Sequence, residues 1–254
     1  MVEDVVGLVP AAGKGLRLRL PYPKELYPVI RNNRYKPVAE FVMDNLQVAG
    51  ADQVVVVINE TKHQLIGYFG DGTRFGLNIS YVVQEQNGSG ESSTSPGLAG
   101  ALDCGYHLVK GNTVLFGMPD TVMEPQDVFA VLKQAAADQD DVVLALFPTK
   151  RPEKFGMVHL GEDGRVIEIV DKPKKTTLAY MWGCILWRPR FTEHLRDCVR
   201  HRKVQDFAQI MNVGISEGLT VRGVKFPAGT YKDLGTYEEI SELEDPVFNS
   251  VYKQ

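Results

Sequence analysis

Near its start the chain reads Val5-Val6-Gly7-Leu8-Val9-Pro10-Ala11-Ala12-Gly13-Lys14-Gly15-Leu16-Arg17-Leu18, and Pro23-Lys24-Glu25-Leu26-Tyr27-Pro28-Val29 follows closely. The apolar run predicts a buried strand, and the small residues after it predict a tight loop. Small residues allow backbone N–H groups to approach an anion, and neighbouring cations neutralise its charge. Because Lys14, Arg17, Arg19 and Lys24 supply such cations, the stretch predicts a polyphosphate-binding loop at the end of a strand.

The composition is that of an ordinary globular protein. The chain has 254 residues, of which 44% are hydrophobic and 24% charged, and its net charge is −4. We therefore predict one domain, residues 1–254, with no basic surface for nucleic acid. No apolar run approaches the ~20 residues that span a bilayer. The acidic start, with Glu3 and Asp4, is unlike a signal peptide, so we expect a cytoplasmic protein without a membrane partner.

Cysteine and histidine residues show no pattern that favours a metal centre. The three cysteines form no CxxC pair, and the five histidines are scattered along the chain. We therefore expect reduced thiols and no zinc site.

The first 150 residues alternate strand-like apolar runs with helical patterns, which predicts an α/β fold with a mostly parallel sheet. The second half, residues 151–254, has a mixed pattern that includes a hairpin around Glu162-Asp163-Gly164. The polar segment Gln84–Ser95 is predicted to be a mobile loop. Other expectations are helices at Leu98–Leu108, Pro125–Ala137, Phe191–Val199 and Val204–Glu217, and a capping box at Thr236-Tyr237-Glu238-Glu239.

Two aspartates are candidate ligands for Mg²⁺. Asp120 follows the predicted strand Thr113–Phe116, and Asp233 also follows a predicted strand. Ligands of open α/β sheets bind at the carboxyl ends of strands, and Mg²⁺ prefers oxygen ligands. The alternative is that Asp120 caps a following helix or turn and that Asp233 is a turn residue. Residue spacing alone leaves both interpretations open.

The glycine loop does not match two well-known nucleotide motifs. Position 18 is Leu18, where the dinucleotide fingerprint G-x-G-x-x-G requires glycine, and no Gly-Lys-Ser/Thr closes a P-loop. A Rossmann oxidoreductase is therefore the weakest candidate.

Taken together, the motifs resemble those of the sugar-1-phosphate nucleotidyltransferases, most similarly the glucose-1-phosphate thymidylyltransferase subgroup. The family patterns A-G-x-G-T-R-L and P-K-x-L-x-P-V correspond to the segments Ala12–Leu18 and Pro23–Val29. The later motifs, in family order, are Gly97-Leu98-Ala99, Phe155-Gly156-Met157-Val158, Asp171-Lys172-Pro173, Trp182-Gly183 and Asp233-Leu234-Gly235-Thr236. The resemblance covers nearly the whole chain.

The resemblance implies a Rossmann-like, three-layer nucleotidyltransferase fold, with a nucleotide-binding half (1–150) and a sugar-phosphate-binding half (151–254). It implies that a nucleoside triphosphate, with dTTP or UTP favoured, reacts with a sugar 1-phosphate in a Mg²⁺-dependent homo-oligomeric enzyme. The implied catalytic residues are Arg17, Lys24 and Lys172, and the implied metal ligands are Asp120 and Asp233. The implied nucleotide-binding residues are Ala11, Ala12, Gly13, Lys14, Gly15, Gln84 and Gly97. The implied sugar-phosphate-binding residues are Gly156, Asp171, Lys172, Trp182 and Gly183.

Three departures from the family pattern keep alternatives open. Leu16 replaces a threonine, Pro119 replaces a glycine, and Asp171 replaces a glutamate. A cytidylyltransferase acting on a polyol phosphate shares the opening motifs. A noncatalytic regulatory protein that binds sugar nucleotides would explain the departures, although the retained basic and acidic residues favour an enzyme.

Overall fold

The computed structural model describes residues 5–15, 18–31, 34–85, 97–236 and 239–240. Leu16, Arg17, most of the predicted mobile loop and the end of the chain lie outside these residues. The strands are β1 Val5–Pro10, β2 Pro28–Arg31, β3 Arg34–Pro37, β4 Gln53–Ile58, β5 Asn78–Val83, β6 Thr113–Phe116, β7 Thr121–Glu124, β8 Val142–Pro148, β9 Gly156–Leu160, β10 Val166–Asp171, β11 Tyr180–Trp187, β12 Val221–Lys225 and β13 Thr230–Asp233. The helices are α1 Val38–Val48, α2 His63–Phe69, α3 Gly97–Cys104, α4 Tyr106–Val109, α5 Val128–Ala135, α6 Pro189–Arg200 and α7 Phe207–Ser216.

A nine-stranded sheet forms the middle layer of the fold. Its strands β5, β4, β1 and β6 are parallel neighbours. Strand β11 continues the sheet antiparallel to β6, and it pairs antiparallel with β8 and β9. Strand β12 is parallel to β8, and β10 forms the predicted hairpin with β9. The mostly parallel sheet with a mixed second half is therefore confirmed.

Helices cover both faces of the sheet, which gives the predicted three layers. On one face the core includes Leu102 of α3, Phe191 of α6 and Phe207 of α7. On the other face it includes Leu46 of α1 and Phe129 of α5. Strand β4 is buried on both sides because its β-branched run has no polar alternation. Across the described ranges, no helix is long and apolar enough to cross a membrane.

Three predicted helices differ from the structure. The helix predicted at Val204–Glu217 begins only at Phe207. The helix predicted at Leu98–Leu108 is interrupted at Gly105, where a methyl group would lie 2.8 Å from Cδ1 of Leu8 in β1. This close approach to the sheet favours glycine, which interrupts the helical pattern. The helix predicted at Pro125–Ala137 begins only at Val128, so Pro125 lies outside its first turn.

Two small sheets were not predicted. Strands β2 and β3 form one antiparallel pair. Strands β7 and β13 form an antiparallel pair in which Asp233 lies opposite Thr121. The second pair matters for the site, because β7 begins directly after Asp120 and β13 ends with Asp233.

Candidate active site

A cavity of about 820 Å³ opens between the two halves of the chain. A second cavity, of about 250 Å³, adjoins it beside the glycine loop, and both are lined by Lys24, Gly97 and Asp120. We call them the large and the small cavity. Of the predicted site residues, the large cavity is also lined by Gly156, Asp171, Lys172, Trp182 and Asp233. The small cavity is also lined by Ala12, Gly13 and Gln84.

The glycine loop is fixed to the neighbouring strand at its start. The N–H of Ala11 donates to the carbonyl of Val57 at 2.6 Å, and Nδ2 of Asn59 donates to the carbonyl of Ala12 at 2.8 Å. The loop then reaches the surface at Gly13, and Gly15 has a φ of +64°. Fixed small residues next to a cavity are typical of backbone that approaches an anion.

Four predicted residues of this region lie away from the two cavities or outside the described chain. Ala11 is buried and lines neither cavity. Lys14 and Gly15 line a separate pocket of about 250 Å³, which Lys24 also borders. Arg17, predicted to be catalytic, lies outside the described residues, so its role stays a prediction.

Lys24 connects the glycine-loop region to both predicted metal ligands. Its Nζ forms an ion pair with Oδ2 of Asp120, and the two side chains are only 16% and 8% exposed. Burial alone would lower the pKa of Lys24. The attraction of Asp120, supplemented by Glu25 and Asp233, outweighs burial and raises that pKa, so Lys24 carries its charge at neutral pH.

The two aspartates come together through the β7–β13 pair. Besides the pairing of Asp233 with Thr121, the N–H of Leu234 donates to the backbone carbonyl of Asp120 at 2.8 Å. Asp120 was alternatively expected to cap a helix or a turn. No helix follows it: Asp120 lies in a turn that leads into strand β7, and its carboxylate pairs with Lys24. The structure therefore joins two carboxylates and one lysine at one wall of the large cavity.

Lys172 lies at the end of β10 in an uncommon backbone conformation. Its φ is +44°, and its N–H donates to the carbonyl of Phe155 at 3.0 Å. A left-handed conformation costs free energy for a residue other than glycine, and such residues cluster at functional sites. The side chain is 60% exposed, and its Nζ lies 3.5 Å from Oδ2 of Asp171. Both side chains border the large cavity.

The two predicted glycines of the sugar region have different surroundings. Gly156 borders the large cavity beneath Trp182, whereas Gly183 packs in the core between rings of Phe147 and Tyr231. A methyl group at Gly183 would lie 2.7 Å from both rings. The structure therefore supports a cavity position for Gly156 and a packing requirement at Gly183.

A Gly156→Ala substitution is expected to reduce catalytic efficiency by about tenfold, because a misplaced site side chain commonly costs one to two orders of magnitude. The added methyl group would overlap Nε1 of Trp182 and push the indole into the cavity. Steady-state kinetics would measure the effect as a raised KM for the ligand of the large cavity. Gly67→Ala is the control, since Gly67 lies in α2 with open space around its Cα. Equal kinetics in the two variants would contradict the expectation.

A buried ion pair next to Lys24 was not predicted from the sequence. Nζ of Lys62 lies 2.5 Å from Oε1 of Glu25, and the two side chains are 4% and 2% exposed. Burial raises the pKa of Glu25, and the charge of Lys62 opposes that rise. The partners are 37 residues apart, and no local sequence pattern links them.

Other cavity residues also escaped the sequence analysis. Gln205 and Asp206 precede α7, and Glu153 and Lys154 precede Gly156. Glu239 belongs to the capping box that the sequence did predict: its N–H donates to Oγ1 of Thr236 at 3.3 Å. Its proximity to the site was not apparent from the sequence.

A comparison with protein families identifies the class of protein that has this fold and this arrangement of acidic and basic residues. A profile of the nucleotidyl transferase family matches residues 6–248. The chain belongs to this family of enzymes.

Comparison with individual proteins shows which members of the family have a similar sequence. The chain is 28% identical, over 93% of its length, to glucose-1-phosphate thymidylyltransferase of Neisseria meningitidis, of which it covers 80%. It is 29% identical, over 93% of its length, to that of Streptomyces griseus, and 26% identical, over 95%, to the low-salt glycan biosynthesis nucleotidyltransferase Agl11 of Haloferax volcanii. It spans 64% and 65% of the length of these two proteins.

A solved structure shares the fold. It is a candidate glucose-1-phosphate thymidylyltransferase from Bacillus anthracis, solved in complex with sucrose. The TM-score is 0.80 at 21% sequence identity, and the match covers 94% of this chain and 93% of the other. The predicted three-layer nucleotidyltransferase fold is confirmed.

Proposed function

We propose that this protein joins a nucleoside triphosphate, with dTTP or UTP favoured, to a sugar 1-phosphate and releases pyrophosphate. A phosphate oxygen of the sugar 1-phosphate attacks the α-phosphorus in line, and the bond to the leaving pyrophosphate breaks. The attacking phosphate is anionic near neutral pH, so the reaction needs no strong base. Its main obstacle is the approach of two anions, and the catalytic contribution of the protein is therefore positioning and charge neutralisation.

One observation carries the nucleotide part of the proposal. Three residues that line the small cavity each have one buried side-chain atom for which the described part of the chain offers no hydrogen-bond partner: Oε2 of Glu25, Nε2 of Gln84 and Oδ1 of Asp120. Buried polar groups are nearly always hydrogen-bonded, so unpartnered atoms in a cavity indicate a polar ligand. A nucleotide offers donors and acceptors on its base and ribose, which suits a cavity of this chemistry.

The acidic residues suit Mg²⁺. Mg²⁺ is commonly held by one or two carboxylates, with water and substrate phosphates as its remaining ligands. Asp120 and Asp233 meet this requirement, and no larger group of metal-binding side chains was found in the ranges that the structure covers. Lys24 pairs with only one oxygen of Asp120, which leaves the buried Oδ1 for a cation. Bound Mg²⁺ would neutralise charge on the phosphoryl oxygens.

The remaining roles follow from charge and position. Lys24 stabilises the α-phosphate, and the backbone around Gly13 faces the distal phosphates. Lys172 holds the phosphate of the sugar on the opposite side of the large cavity. Trp182 and Asp171 contact the sugar ring, and Nε1 of Trp182 is a buried donor without a partner in the described ranges.

Pyrophosphate release from a substrate panel tests the proposal. The panel crosses dTTP, UTP, CTP, GTP and ATP with several sugar 1-phosphates and polyol phosphates, with and without Mg²⁺. We expect metal-dependent release with a uridine or thymidine triphosphate and one sugar 1-phosphate. Release with only CTP and a polyol phosphate would favour the cytidylyltransferase alternative. Nucleotide binding without release from any pair would favour the noncatalytic alternative.

Gln84 is expected to select the base, because an amide side chain can pair with a pyrimidine edge. Its side chain is buried beside the Cys104 thiol at the small cavity. Gln84→Leu should raise the KM of the preferred nucleotide by about tenfold, the loss expected for one or two hydrogen bonds. Gln47→Leu, at an exposed position of α1, serves as the control. An unchanged nucleotide preference in Gln84→Leu would refute the assignment.

A further inference from the structure

The turn before β9 is tied to the loop after β13 by a buried carboxylate. Glu239 is 4% exposed, and its Oε1 lies 2.5 Å from Nζ of Lys154 and 3.4 Å from Nη1 of Arg151. Its Oε2 accepts a hydrogen bond of 3.0 Å from the N–H of Gly235. One side chain therefore holds two loops that are far apart in sequence.

Each of these loops carries a residue of the proposed active site. Gly235 lies two residues after Asp233, the proposed metal ligand. Lys154 precedes Phe155, whose carbonyl accepts the N–H of Lys172. A continuous path of contacts therefore runs from the metal-ligand loop through Glu239 and Phe155 to the strained backbone of Lys172.

The electrostatics of Glu239 favour a fixed, ionised carboxylate. Burial acts to raise the pKa of Glu239, but the hydrogen bond and charge of Lys154, with the Gly235 N–H and Arg151, lower it overall. Charge-assisted hydrogen bonds of this kind are short and directional. A rigid connection at this point would hold the two walls of the large cavity at a constant separation.

We propose that Glu239 is a positioning residue that sets the distance between the Asp233 loop and Lys172 by binding Lys154. The inference rests on the proposed function for its catalytic consequence, whereas the mechanical connection stands on the contacts alone. Glu239 itself touches no reacting atom in this assignment. Its effect reaches the sugar phosphate through Phe155 and Lys172, and the small cavity on the nucleotide side is not lined by it.

Glu239→Gln is the test substitution, because it keeps the shape and removes the charge. We expect about a tenfold rise in the KM for the sugar 1-phosphate, a size typical for loss of a supporting contact, with the nucleotide KM within about twofold. Lys154→Met should give a similar change, and the double variant should lose little more than either single variant. Asp140→Asn is the control: Asp140 is a buried carboxylate paired with Arg222 at 2.6 Å, and it lines neither cavity.

A second readout does not depend on turnover. Amide hydrogen exchange should accelerate in the peptides that cover residues 151–157 and 168–173 of Glu239→Gln and should stay unchanged there in Asp140→Asn. Unchanged exchange in Glu239→Gln, or additive losses in the double variant, would overturn the inference. A wild-type protein that releases no pyrophosphate would overturn the proposed function, and the exchange experiment would still decide the mechanical connection.

Discussion

Lys24→Met should lower kcat/KM by about 10²–10³, the range measured when one preorganised electrostatic donor is removed from an active site. Methionine retains the apolar stem of the lysine and deletes only its charge. In the structure that charge pairs with Asp120 and interacts electrostatically with Asp233, the two proposed metal ligands. In the proposed reaction, the phosphates of both substrates meet at this point. The measurement is steady-state pyrophosphate release at saturating Mg²⁺.

Lys36→Met provides a matched control for this prediction. Lys36 also forms an ion pair with an aspartate, Asp44, but it borders neither the large nor the small cavity. Circular dichroism and thermal unfolding of both variants establish whether the folded population is preserved. Near wild-type turnover in folded Lys24→Met would contradict the role of Lys24 in stabilising the α-phosphate.

The strands that carry the strongest sequence signal were the easiest to predict. The uninterrupted run Val54–Ile58 can be buried on both faces, and few structures besides an interior strand of a parallel sheet accommodate it. The small residues after β1 likewise predicted a loop that approaches a ligand. Because ligands of open α/β sheets bind at the carboxyl ends of strands, the position of Asp120 after a predicted strand also made it a candidate ligand-binding residue.

Features that depend on long-range packing were not predictable. Strands β7 and β13 have only four residues each and meet across more than a hundred positions of sequence, so neither shows a distinctive pattern. The break at Gly105 reflects the position of Leu8, which a helical pattern does not report. Glu239 was identified as part of a capping box, but its two basic partners, Arg151 and Lys154, come from the segment before β9, which is far away in sequence.

The second large effect concerns stability. Lys62→Met should reduce the free energy of unfolding by about 3–5 kcal/mol at pH 8, because it leaves the buried carboxylate of Glu25 without its counter-charge. Glu25 is 2% exposed, and its other oxygen has no partner in the described chain, so nothing visible there replaces the lost ion pair. Urea unfolding from pH 5 to pH 8 measures the effect.

The loss of stability in Lys62→Met should shrink as the pH falls, because the charge of Glu25 causes that loss. Burial already raises the folded-state pKa of Glu25 above its unfolded value, with Lys62 opposing and Asp120 adding to the rise. Removing Lys62 raises the pKa of Glu25 further. A carboxyl group with a raised folded pKa destabilises the protein increasingly as pH rises from the unfolded pKa through the folded pKa. The variant therefore recovers stability relative to wild type on acidification, when Glu25 takes up a proton.

The double variant Glu25→Gln/Lys62→Met distinguishes the effect of removing the whole ion pair from the effect of leaving one buried charge without its partner. Replacing both members of a buried ion pair with neutral groups is often nearly neutral, so the double variant should be more stable than Lys62→Met at pH 8. Its difference from Lys62→Met should disappear toward pH 5. A loss in Lys62→Met that is the same at every pH would mean that packing, and not the charge of Glu25, explains it. Since Glu25 adjoins Lys24 in one short 3₁₀ turn, the same pair also connects the segment that carries Lys24 to the short helix that follows β4.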